Sequence, residues 1–180
     1  IATYNVLISK INDVSGDNAK KQALIAEAKT LRAWCHWMLV NVFAKAYTPA
    51  TASEEGGIPY VTDVNFDSKN EKLTLENVYQ KLLEDLSDNM IDQLPETPAN
   101  IQRVGKAFGY AVRAKVHLSM QNYPAALKDA EKALSFNSKI EDRKTFIGST
   151  PVREKEAEDN ILYAPGCLLY TSPSPRDMRR

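Results

Sequence analysis

Glu84, Asp85, Asp88 and Asp92 put carboxylates along one predicted helix, and paired carboxylates are what a hydrolase uses as general acid and general base. Acid on a helix is more ordinarily a solvated face, and that is the expectation for these four. Cys35 and His36 bring a thiol beside an imidazole, the raw material of a nucleophile and its base. Neighbours on a helix point in different directions, so the two are not expected to act together. Cys35 is expected as a core side chain, since cysteine is among the most buried residue types. Neither His36 nor His117 has a second metal-ligating residue at helical spacing, and both are expected to be structural or at the surface. Gly56-Gly57 lacks the lysine followed by Ser or Thr that a phosphate loop needs. No catalytic set, metal site or cofactor site is predicted, and the chain is read as non-enzymatic.

Aromatic side chains are the other candidates, because their faces bind sugars. Trp34 and Trp37 sit three apart in the middle of a helical pattern, where packing is the expected role. Tyr47, Tyr60 and Phe66 fall in or beside a predicted loop and are better placed for a ligand. Nothing in the sequence selects one of them, so the ligand-binding residues stay unknown.

These side chains must be positioned by helices. From Ile25 to Tyr47 there is no proline or glycine. Leu24, Ala28, Leu31, Cys35, Met38 and Val42 step by fours and threes onto one stripe, which is the predicted core face. Trp34, Trp37 and Phe43 widen it, leaving Glu27, Lys29, Arg32 and Lys45 as the polar remainder. A helix so widely apolar is expected to be central and packed on two sides. It should run from about Ala19 to Tyr47, capped by Asp17 or Asn18 after a turn at Ser15–Asn18. Before it, Tyr4, Leu7, Ile8 and Ile11 predict a helix over Ile1–Val14, making a helical hairpin.

Thr48 to Leu73 reads as a long irregular loop, broken by Pro49, Gly56, Gly57 and Pro59, with Ile58–Val61 a short strand or extended piece. Thr74 is a credible N-cap for a helix whose stripe runs to Leu94, where Pro95 and Pro98 stop it. Arg103 to Ser138 then reads as a helix, a QNYP turn and a second helix. Tyr123, Ala126, Ala133 and Leu134 fall where a tetratricopeptide repeat wants its turn aromatic and small contact residues. The repeat-like unit spans Ala107–Ile140, with His117 in place of the usual first-helix aromatic and Ser138 in place of the usual terminal proline. The predicted fold class is therefore all-α, built of tetratricopeptide-like helical hairpins with one long irregular loop. After Ile140 the pattern turns polar, ending in a short predicted strand, NILYA.

The chain has 180 residues, room for one ordinary domain, and a formal net charge of zero, which favours neither nucleic acid nor an anionic membrane. No apolar run approaches the roughly 18 residues of a membrane span. Cys167 to Asp177, CLLYTSPSPRD, reads as the translation of a sequencing-library adapter, so residues 167–180 are set apart from a native region of 1–166. Without Arg176, Asp177, Arg179 and Arg180 the net charge becomes about −2. Cys35 is then the one cysteine left, which points to no particular redox compartment. A start at Ile1, with a helix already in progress, is read as the start of a fragment or a processed chain.

Several stretches resemble the SusD/RagB family of nutrient-binding lipoproteins of the Gram-negative outer membrane. EAKTLRA, carried by Glu27, Ala28, Lys29, Leu31, Arg32 and Ala33, is similar to the family's long helix. Gly57-Ile58-Pro59, KLTLENVYQKLLEDL, the Arg103 and Lys106 pair ahead of the repeat, and the E-x-N-I-L-Y run follow in family order. The resemblance implies an incomplete SusD-like helical superhelix and no catalysis. It also implies an oligosaccharide or other nutrient held by inserted loops, and a SusC-like TonB-dependent transporter as partner, over which the binding protein closes as a lid. A surface-exposed, lipid-anchored place at the outer membrane goes with it, the signal and anchor lying beyond this sequence. The alternative is a tetratricopeptide adaptor gripping a peptide in its concave groove. The long Pro- and Gly-broken loop argues against that, because adaptor repeats join by short turns.

Overall fold

The computed structural model describes residues 1–65, 68–100 and 102–139, and all regular secondary structure among them is helical. Helix α1 (Ala2–Lys10) runs into a 3-10 turn at Ile11–Asp13, and α2 (Asn18–Phe43) follows. After the long loop come α3 (Leu75–Asp85), α4 (Asp88–Asp92), α5 (Lys106–Ser119) and α6 (Tyr123–Phe136). Residues 1–98 and 104–138 form one compact unit. The other unit comprises 99–103 and the chain from 139 onward. Within it, Asn100 accepts the Arg103 amide on its carbonyl (3.1 Å) and the Gln102 amide on Oδ1 (3.0 Å). Phe66, the NILYA run and residues 167–180 lie outside the described residues.

Asp17 is the cap of α2: its Oδ1 accepts the Ala19 amide at 3.0 Å, satisfying a donor that the helix start would otherwise leave open. The helix stops at Phe43, short of the predicted Tyr47. Ala44 is extended, and beyond it Tyr47 packs edge-on against Tyr79 of α3, with ring centroids 4.8 Å apart.

The buried face of α2 is not the predicted stripe. Ala26, Ala33 and Val40 lie in the core beside buried Thr30, Arg32 and His36. Of the predicted stripe only Ala28 is buried; Leu24, Leu31 and Cys35 are half-buried, while Met38 is 47% and Val42 69% exposed. The two stripes are offset by two residues, about 200° of helical rotation. Apolarity could not choose between them on a helix apolar nearly all round. Alanine at 26 and 33 decided it, since small side chains let α2 lie close to its neighbours.

The centre of the core is Leu75, Val78 and Leu82 from α3, then Leu86 and Ile91, with Val112 and Val116 from α5. Thr74 caps α3 as predicted, its Oγ1 accepting the Asn77 amide at 3.3 Å. The single predicted helix to Leu94 is broken: Ser87 is extended and α4 restarts at Asp88. The break keeps Leu86 fully buried while freeing its carbonyl for Arg113, which donates to it at 3.1 Å. Gly109 of α5 lies against α4, where a Cβ would sit 3.0 Å from Leu94 and 3.2 Å from Ile91. Helices α5 and α6 form the repeat-like hairpin, with Ala126 and Ala133 on its buried side. The turn between them passes through Gln121 at φ 62°, a left-handed conformation that non-glycine residues rarely adopt.

The two ends of the long loop are tied together. The Gly57 amide donates to Leu73 (2.8 Å), Leu75 to Glu55 (2.8 Å) and Glu76 to Ala52 (2.9 Å), around a Gly56–Thr74 antiparallel bridge. Ile58–Val61 carries no regular secondary structure, and no strand forms there. Side chains from Thr62 to Asn65 and from Lys69 to Lys72 are exposed, so a clamped base carries an exposed tip.

Candidate functional site

The base of the loop rests on a buried polar network drawn from four elements. Arg32 of α2 donates through Nε and Nη2 to the two carboxylate oxygens of Asp85 on α3, at 2.8 and 2.7 Å. Its Nη1 donates to Asn5 Oδ1 of α1 at 3.0 Å. Asn5 in turn donates through Nδ2 to the carbonyls of Val61 and Asp63, both at 3.1 Å. The Tyr60 hydroxyl donates to Asp85 Oδ2 at 2.7 Å. All four side chains are buried.

His36 completes the network and its protonation state follows from geometry. The Val61 amide donates to Nε2 at 3.0 Å, and a backbone amide can only donate, so Nε2 carries no proton. Nδ1 therefore holds it and donates to the Arg32 carbonyl at 2.9 Å. The ring stacks on Tyr60 with centroids 4.0 Å apart. Burial lowers the His36 pKa, Arg32 lowers it further, and its backbone bond and Asp85 oppose that only in part. Burial pushes the Tyr60 hydroxyl well above its usual range, with the Asp85 charge adding to it. For Arg32 burial works against the charge, but the bonds and charge of Asp85 outweigh it and raise the pKa.

A second cluster holds the hairpin α5–α6. Arg113 donates to both oxygens of Asp129 (2.7 and 2.8 Å) and to Asp88 (2.9 Å). His117 Nε2 lies 3.7 Å from Asp129. These groups, with Ala125, Lys128 and Lys132, line a cleft of about 220 Å³. A larger groove of about 450 Å³ runs between α1 and the start of α2, with Val6, Leu7, Ile11, Val14 and Leu24 along it and lysines at its edge.

Of the four acids expected to be solvated, Glu84, Asp88 and Asp92 are exposed, while Asp85 is buried. Asp85 holds Arg32, Asp88 holds Arg113, and Asp92 accepts from the Tyr110 hydroxyl at 3.2 Å. Tyr60 is buried in the network, so it is not the ligand-facing aromatic the sequence suggested. Tyr47 is half-buried against Tyr79. Trp34 and Trp37 stack on each other at 5.1 Å, Phe108 meets Trp34, and the Trp37 indole donates to Ser119 at 3.2 Å. Their contacts are those of packing between α2 and α5. Sequence reasoning missed Asn5, Arg32 and Asp85 as a buried set; polar residues on faces taken for solvent carried no signal that they meet. Among the described residues no group of three or more His, Cys, Asp or Glu is placed to hold a metal ion.

An all-α chain with a repeat-like hairpin and a long loop tied at its base has the architecture of helical-repeat proteins. The SusD-like family model, described as starch-binding and associating with the outer membrane, matches residues 1–118, and the chain belongs to this family. Among curated proteins, none matches. A SusD-like carbohydrate binding protein from Bacteroides vulgatus is similar in structure, with a TM-score of 0.69 and 14% identity over 81% of this chain and 31% of that one. A SusD superfamily protein from Bacteroides thetaiotaomicron gives 0.67 and 23%, over 74% of this chain and 29% of its own. A laminarin binding SusD-like protein gives 0.61 and 24%, over 74% and 27%. The chain spans less than a third of each of these relatives. These likenesses establish the SusD-like helical fold.

Proposed function

We propose that this chain is the helical part of a non-catalytic glycan-binding protein of the outer membrane. The observation that carries the reading is the family match over residues 1–118, the stretch that contains both the network and the loop it anchors. A starch-binding family description and a laminarin binding relative point to a glucan as the first ligand class to try. In this reading the scaffold holds its loop base rigid and leaves the exposed tip, with further loops of the longer protein, to meet the sugar. Rigid support lowers the ordering cost of binding. The protein is lipid-anchored at the cell surface and delivers its ligand to a SusC-like TonB-dependent barrel, closing over it by a hinge. Among the described residues no helix is long and apolar enough to cross a membrane. In this reading residues 1–166 are native and 167–180 are adapter-derived.

The test is extraction of the intact protein from outer membranes in mild detergent. The expected result is co-elution with a large β-barrel and retention on immobilised glucan. Recovery in a soluble fraction, bound to a peptide and indifferent to glucan, would contradict it.

A further inference from the structure

His36 is fully buried, yet its bonds require it to be uncharged. Nε2 faces the Val61 amide proton, so a second proton on the ring would set one N–H against another. Among the described residues, the charged and titratable groups acting on it come from four places. Arg32 lies on its own helix, Asp85 on α3 and Tyr60 on the loop, while α1 presents the neutral amide of Asn5 and the amino group of Ile1 lies just ahead of α1. Asp85 is the one anion among them, and it is already shared between the Arg32 guanidinium and the Tyr60 hydroxyl.

We propose that His36 is an acid-sensitive latch on residues 58–63: it holds the base of the loop only as the neutral Nδ1–H tautomer, and protonation releases it. Release would break the Val61 bond directly. It would also loosen what is threaded through the same backbone, namely the Asn5 bonds to Val61 and Asp63 and the Tyr60 ring stacked on the imidazole. The helices would stay together, because the Leu75–Leu82 core and the Arg32–Asp85 pair do not use the imidazole. The latch is a property of the fold and does not depend on what the loop binds.

The sign follows from linkage. A histidine whose folded pKa lies below its unfolded value gives stability that is complete above the unfolded value and is lost as pH falls through the folded one. The closed latch should therefore begin to weaken near the ordinary histidine value of 6.5. Below that, protection of the Val61 amide, corrected for intrinsic exchange, should drop about tenfold per pH unit until closed-state His36 itself titrates.

The experiment is amide exchange on the intact chain across this range, for the wild type and for His36→Gln, which offers an acceptor and a donor but does not titrate. The expected result is acid-dependent loss of Val61 protection in the wild type and a flat profile in the variant. Equal loss in both proteins would assign the release to a carboxylate and overturn the proposal, as would a flat wild-type profile. Nitrogen NMR of the His36 ring in the wild type gives a second reading that needs no variant to fold. An unprotonated Nε2 at neutral pH is expected, and an Nε2–H tautomer would overturn the latch.

Discussion

Arg32 and Asp85 meet in a two-bond ion pair whose side chains are only 7% and 8% exposed, and the pair joins α2 to α3 beneath the loop. Removing one partner of a buried pair strands the other charge. Asp85→Asn should therefore destabilise the chain by about 3–5 kcal/mol. The Lys45–Glu55 pair is the control, with its lysine 75% exposed: Glu55→Gln should change stability by less than about 1 kcal/mol. Urea unfolding of the two variants would check both, and equal costs would refute the assignment of Arg32–Asp85 as buried.

Gly57 is required for space. A Cβ there would meet Val78 Cγ2 at 2.8 Å and the backbone of Leu73 and Leu75 at 3.2 Å. Gly57→Ala should cost about 1–3 kcal/mol through overpacking, since neither α3 nor the loop closure can move without breaking the Gly57–Leu73 bond. A thermal melt that leaves Tm unchanged would show that the closure has slack.

Gln121 is the opposite case. Its φ of 62° is a conformation that glycine adopts without strain. Gln121→Gly should be neutral or should stabilise by up to about 1 kcal/mol, the relief of strain being partly offset by a looser unfolded chain. Chemical denaturation gives the sign, and a loss of more than about 1 kcal/mol would mean the Gln121 side chain, 3.4 Å from the Tyr47 carbonyl, matters more than its backbone.

Asp88 tests the second cluster by pH. Its hydrogen bonds and ion pair with Arg113 hold its carboxyl below the usual 3.8. A depressed acid stabilises the fold above its unfolded value, and that contribution is lost as pH falls through the folded one. Carboxyl-carbon NMR should place the Asp88 midpoint below 3.8 in the wild type, and Arg113→Lys should move it upward. An unmoved midpoint would dissociate the two residues.

Where local rules decide the outcome, the fold was legible. Thr74 as a cap, a cap at Asp17 or Asn18 (Asp17 in the structure) and the QNYP turn each follow from local backbone chemistry. The face of α2 was not legible, because choosing between two apolar stripes depends on which neighbour comes close. The break at Ser87 also escaped, since the apolar spacing runs on through it, and the partner that takes the Leu86 carbonyl there, Arg113, lies on another helix. Buried polar residues were the hardest of all. Asn5, Arg32, His36 and Asp85 look individually like surface, and only their meeting offsets the cost of burial. No ligand-binding residue was legible for a related reason: nothing in the sequence ranked Tyr47, Tyr60 and Phe66, and of these Tyr60 lies buried in the network.

Glycan binding without cleavage is tested most directly by calorimetric titration of the intact protein with glucan oligosaccharides, with the products then analysed by chromatography. Saturable heat of binding is expected, with the oligosaccharide recovered uncut. Absence of binding across glucans and other glycans, or release of shortened products, would contradict it.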